Sequence, residues 1–145
     1  MKFSLSRYVM NTVIACLLAG VNASAAVAAP MECSREDAMQ AEKEASTLKD
    51  WDAVYKSFKR YGHCDDASIA EGYSETVGRL LAKDWDRFGR LVQLTRHSKV
   101  FERFVIHHLD ETVPSEYLRL IVDNAHTRCA PNAQRLCGLI QRATK

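Results

Sequence analysis

The chain has no C-x-x-C pair, no H-E-x-x-H, no G-x-S-x-G, no phosphate-cradling glycine loop and no dinucleotide fingerprint. Each absence removes a class of chemistry: thiol exchange and C-x-x-C zinc sites, zincin proteolysis, elbow-type acyl transfer, and nucleotide binding by the familiar loops. A run of five or six like charges is also missing, as is any sustained alternation of apolar and polar residues that would mark a half-buried strand. The longest apolar run near the start, Val9 to Gly20, is too short to span a bilayer. Only three prolines are present, all at the borders of expected elements.

The first 28 residues carry the clearest address. Lys2 and Arg7 give a basic start, the apolar run follows, and Ala23-Ser24-Ala25 and Ala26-Val27-Ala28 supply small-residue cleavage sites. Residues 1–28 are expected to be a cleaved export signal, with 29–145 a single helical domain that is periplasmic or secreted. Val13-Ile14-Ala15-Cys16 reads as a loose lipobox with Cys16 as the acylated residue. The apolar run continues through Leu17-Leu18-Ala19-Gly20-Val21, where a lipid-anchored protein turns polar. No stable membrane anchor is therefore expected after cleavage.

Removing Lys2 and Arg7 from the chain's 20 basic residues leaves 18 against 18 acidic ones. A neutral balance offers no long-range attraction to a phosphate backbone, so nucleic acid is not expected as a partner. About 117 residues suffice to bury one core.

Four cysteines, Cys33, Cys64, Cys129 and Cys137, lie beyond the signal, an even number in a compartment where disulfides persist. Three connectivities are possible. The helix pattern puts Cys33 at the start of one helix and Cys64 just past the end of its antiparallel neighbour. Cys129 and Cys137 flank a short turn at Pro131. The expected bridges are therefore Cys33–Cys64 and Cys129–Cys137. A four-thiolate zinc site is the alternative that an oxidising compartment disfavours.

Apolar residues recur at three and four positions nearly throughout, which predicts an all-α chain of six to seven helices, arranged as a compact bundle or a short stack of antiparallel helical hairpins. Ser34 and Asp37 form a capping box for a peripheral first helix running toward Thr47, with Met39, Ala41 and Ala45 as its apolar positions. Asp50 caps a second helix with the stripe Trp51, Val54, Tyr55, Phe58 and Tyr61, and Gly62 ends it in a left-handed conformation. Asp65 or Asp66 caps a third, carrying Ile69, Tyr73, Val77, Leu80 and Leu81, with Gly72 and Gly78 placed for close helix contact. Asp84 opens a fourth with Trp85, Phe88, Leu91 and Val92, and Ser98 a fifth with Phe101, Phe104, Val105, His108 and Leu109. Pro114 or Ser115 starts a sixth, and Pro131 and Asn132 a seventh. Lys49-Asp50-Trp51-Asp52 recurs as Lys83-Asp84-Trp85-Asp86, an offset of 34 residues. That is the period of tetratricopeptide repeats, but the remaining consensus is missing, and the echo reads as two similarly built hairpins side by side.

The densest set of potential ligands or acid–base groups is His107, His108, Asp110 and Glu111. On a helix, consecutive residues diverge by about 100°, so His107 faces Glu111 while His108 points with Phe101, Phe104 and Val105. His108 is expected in the core with a hydrogen-bond partner, and the other three at a solvated helix end. His63, His97 and His126 sit near helix C-termini, where an imidazolium suits the dipole. Asp65, Asp66, Glu71 and Glu75 lack the spacing of a calcium loop, and Glu75 with Arg79 is spaced as a surface ion pair.

The segment Cys64 to Ser74, followed by Phe104 to Thr112, resembles small exported helical proteins of Gram-negative bacteria with no assigned function. The make-up is also similar to periplasmic immunity proteins, including helical antagonists of cell-wall amidase toxins. That resemblance implies a protein partner and carries over no catalytic residue. The leading expectation is a periplasmic protein-binding module, an inhibitor or immunity protein, that binds through Tyr61 and His63 at one hairpin end and Arg96 and His97 at the other. No cofactor is expected. The alternatives are a metal-binding protein or hydrolase built on His107, His108, Asp110 and Glu111, and a non-catalytic envelope scaffold.

Overall fold

Seven α-helices and three single 3-10 turns follow one another along residues 32–145, which are the residues this computed structural model describes. The helices are α1 (Arg35–Ala45), α2 (Trp51–Tyr61), α3 (Ala67–Lys83), α4 (Phe88–His97), α5 (Lys99–His107), α6 (Ser115–Thr127) and α7 (Gln134–Ala143). No strand occurs among the described residues. The expected signal, residues 1–28, and Cys16 lie outside them. No helix among the described residues is long and apolar enough to cross a membrane.

Local chemistry sets most helix starts. Ser34 Oγ accepts from the Asp37 amide, Asp50 from Ala53, and Ser98 from Phe101, each satisfying an amide that has no partner within its helix. Asp66 caps α3, which leaves Asp65 free for another task. Two expectations are corrected. Gly62 is right-handed, with φ −61°, because the chain tightens from α2 into the 3-10 turn Gly62–Cys64 instead of reversing. Asp84 does not cap α4: it closes α3 and enters the 3-10 turn Trp85–Arg87, so α4 begins only at Phe88.

Helix α3, the longest, is the centre, packed between α1 on one side and α6 on the other. Both disulfides expected from the helix pattern are present, Cys33–Cys64 and Cys129–Cys137. The first joins the start of α1 to the residues just past α2, so those helices run antiparallel. By the chain-entropy account a 31-residue loop contributes about 4 kcal/mol and an 8-residue loop about 2.5 kcal/mol.

The core is aromatic in its middle. Phe58 lies 5.3 Å from Phe101 and 4.8 Å from Phe104, and Tyr73 lies 4.9 Å from Phe104, in tilted or edge-on pairs that favour the ring quadrupoles. Helix α1 is peripheral only on its outer side. Met39 is 62% exposed rather than inward, whereas Ala41 and Ala45 are fully buried against α3. There Gly72 permits the approach: a Cβ on it would stand 2.9 Å from the Ala45 Cβ and 3.1 Å from the Ser46 amide. A Cβ on Gly78 would meet Val113 Cγ1 at 2.7 Å. The anticipated Glu75–Arg79 pair is replaced: Arg79 donates to the Leu48 carbonyl at 2.6 Å, tying α3 to the α1–α2 loop.

Alanine raises helix propensity by about 1 kcal/mol over glycine, so steric context decides the sign of each change. Gly72→Ala and Gly78→Ala should lose about 1 to 3 kcal/mol in urea unfolding, because the clash outweighs that gain. Gly89→Ala in α4, where a Cβ meets nothing within 4 Å, should gain up to about 1 kcal/mol.

Candidate functional site

Only part of the anticipated histidine–acid cluster comes together, and it recruits residues that spacing alone did not connect to it. His108 caps the end of α5 and is 0% exposed, with its ring edge-on to Phe104 at 4.4 Å. Its Nε2 lies 3.1 Å from Asp65 Oδ2, and its Nδ1 lies 3.1 Å from Ser74 Oγ. Ser74, itself 0% exposed, donates to Asp110 Oδ2 at 3.1 Å. A hydroxyl has one proton and a carboxylate only accepts. With the Ser74 proton committed to Asp110, the hydroxyl oxygen is left to His108, so one ring links Asp65 on one side to Ser74 and Asp110 on the other.

Asp, His and Ser in series is the connectivity of a nucleophilic triad, but the setting here is structural. The Ser74 hydroxyl is sealed in the core, and the surface recesses described below do not include it. The four residues proposed for metal or hydrolase chemistry do not converge. His107 and Glu111 are exposed, His108 is enclosed, and Asp110 turns to Ser74 and Thr112. No group of three or more His, Cys, Asp or Glu side chains among the described residues could hold a metal ion.

Burial pushes the Asp110 carboxyl up, but the Thr112 hydroxyl and amide, the Ser74 hydroxyl and the charge of His108 outweigh it and leave the carboxyl below its ordinary value. Glu102 is also held low, by the Arg135 guanidinium bonded to it, against burial and with help from Lys99. A second relay starts one residue earlier on α3. The Tyr73 hydroxyl lies 2.8 Å from Ser57 Oγ, which donates to Glu44 at 2.7 Å. Burial pushes the Tyr73 phenol up to about 12.

The four expected binding residues separate into two places. Tyr61 is 1% exposed, contrary to the expectation of a surface ring, because it completes the inward stripe of α2. His63 is half-buried and lies 3.8 Å from Asp37. Arg96 and His97 are exposed at the end of α4. Tyr61 edges a wide recess of about 770 Å³ with Arg35, Met39, Lys43 and Arg60. Arg96 lines a different one, a groove of about 420 Å³ between α4 and the turn at Pro131.

No family model, curated protein or solved structure matches this chain. The α4 groove is thus judged on its own chemistry. Its floor is the buried pair Trp85 and Phe88, stacked with centroids 4.1 Å apart. The Trp85 indole donates to the Arg128 carbonyl at 3.2 Å, and Cys129–Cys137 closes the facing turn. Arg96 donates to the Asn132 carbonyl at 2.7 Å, and Arg128 bonds Asp86 at 2.6 Å. Sequence reasoning picked out Arg96 but missed Arg128 and Asn132, because the disulfide turn brings them up from beyond α6. Asp65 and Ser74 were missed for a similar reason. The available signal was a serine within the apolar positions of α3 and a second aspartate beside the cap.

Two measurements check the polar network. His108→Leu leaves Asp65 and Ser74 without their partner and should cost about 3 kcal/mol in urea unfolding, more than an isosteric apolar exchange. Asp110 and Glu102 are depressed in the fold, so their contribution is present above the unfolded carboxylate range and lost as pH falls through the folded values. Stability should hold above about pH 5 and decline below about pH 4. Asp110→Asn and Glu102→Gln should each lower the neutral plateau and flatten the acid decline, measured by urea midpoints across that range.

Proposed function

We propose that this chain is an exported protein-binding module that acts as an inhibitor or immunity protein toward an enzyme of the bacterial envelope. The observation that carries this reading is the α4 groove: a floor of aromatic rings, exposed arginines at its rim and a facing turn closed by a disulfide form a preorganised surface. Rigid surfaces lose less conformational freedom on binding. Two disulfides favour an oxidising compartment, periplasmic or extracellular. The leader-like composition of residues 1–28 points the same way. The fully enclosed His108 and Ser74, whose hydroxyl is committed to Asp110, favour binding over catalysis.

The test is affinity purification of the processed protein from the periplasm, mass spectrometry of what is retained, and an activity assay on it. One envelope hydrolase recovered at equal stoichiometry and inhibited by the purified protein supports the proposal. Several substoichiometric partners with no inhibited activity would favour a scaffold instead, and stoichiometric metal in the tag-free protein would reopen the metal reading.

A further inference from the structure

Charge is unevenly placed along this formally balanced chain. Residues 32–80 hold seven basic and eleven acidic side chains, whereas residues 81–145 hold eleven basic and seven acidic. The excess of cations reaches the α4 groove. Along it and the shallow extension beside α7 stand Arg96, Arg128, Lys99 and Arg135, facing only two carboxylates, Asp86 and Glu102. Lys99 and Arg135 share Glu102. Arg128 holds Asp86 at an exposed rim, where the two side chains are 47% and 90% accessible and an ion pair is weak. Arg96 differs from these, since its partner is the neutral Asn132 carbonyl, so the guanidinium is oriented without being neutralised.

Beside Arg96 the groove has an apolar socket. That socket is shallow: Trp85, Phe88, Val92 and Ala133 line it with little of their surface accessible, and exposed Gly89 keeps its edge open, with nothing within 4 Å of a Cβ placed there. A fixed guanidinium beside a shallow apolar wall with an open edge suits a carboxylate-bearing extended segment that also carries an apolar side chain. We infer that the α4 groove binds an acidic, extended segment of the protein partner, with a carboxylate paired to Arg96 and a neighbouring apolar side chain seated over Gly89. This rests on the protein-binding reading and assigns the partner's chemistry at that site.

The probe is the blocked peptide acetyl-Glu-Asp-Leu-Glu-Asp-amide, titrated into ¹⁵N-labelled residues 29–145 and followed by amide shifts, with the Gln/Asn counterpart peptide and sodium sulfate as comparisons. The expected result is saturable shifts at Gly89, Gln93, Arg96, Asn132 and Ala133 with the acidic peptide only. Arg96→Gln should weaken binding by about tenfold, the loss of one charge-assisted pair. Gly89→Leu should weaken it at least about tenfold by covering the wall on which the segment lies, and the open space at Gly89 lets that variant keep its helical circular dichroism. Arg119→Gln, an exposed cation on α6 away from the groove, should leave affinity unchanged. Three results would each overturn the inference: equal shifts from the neutral peptide or from sulfate, undiminished binding by both groove variants, or no shifts at the groove. The same variants separate this inference from the broader one. If Arg96→Gln and Gly89→Leu still retain and inhibit the periplasmic partner, the groove assignment fails and the protein-binding reading stands. If the acidic peptide binds as described but no partner is inhibited, the reverse holds.

Discussion

At two points along α3 there is room for a hydrogen and nothing larger, and the rest of the structure depends on that closeness. Gly72 lets α3 lie against the end of α1, and Gly78 admits Val113 from the loop ahead of α6. With backbones this near, short side chains can bridge elements that would otherwise be linked by packing alone: Thr76 reaches the Ala45 carbonyl at 2.7 Å, and Asn124 reaches the Leu81 and Ala82 carbonyls, each at 3.1 Å. Such bonds stabilise modestly when formed, but a buried group left without one costs more, so they restrict the packing to one arrangement.

Much of this was legible in the order of residues. Periodicity placed all seven helices, because an apolar stripe must face a core whatever the core's detail. Ser34, Asp50 and Ser98 announced helix starts because capping is a local transaction between a side chain and an amide three residues on. The cysteine pairing followed from antiparallel α1 and α2 and from the short turn at Pro131. Burial of His108 could be read from its phase with Phe101 and Phe104. Departures came where a competing local geometry was available. The chain passes Gly62 and Asp84 through 3-10 turns, which need no left-handed glycine and no side-chain cap, so residues that suit one ending were used in another.

The candidate site was less legible, for a reason of distance rather than of pattern. Arg96 and Asn132 are 36 positions apart, Asp65 and His108 are 43, and nothing in the local sequence of either partner announces the other. Tyr61 shows the converse error: its place at a hairpin end suggested a binding role, but the ring's place in the α2 stripe governed. The tetrapeptide echo was real as a motif and limited as architecture. Trp51 and Trp85 are both buried, and Asp52 and Asp86 each pair with an arginine of a later element, Arg90 and Arg128, while the two aspartates ahead of the tryptophans do different jobs.

Tyr73 and Ser74, adjacent on α3, each feed a separate hydrogen-bond chain, one running through Ser57 to Glu44 and the other linking His108 to Asp110. Consecutive helical residues point about 100° apart, so both chains close only at one rotational setting of α3. Turning that helix by a single position would present a serine to Ser57 and a glutamate to His108. The two chains therefore act together as an indexing key. Sequences drifting within this fold would have to exchange the members of a chain jointly, in sets of three or four, and not one residue at a time.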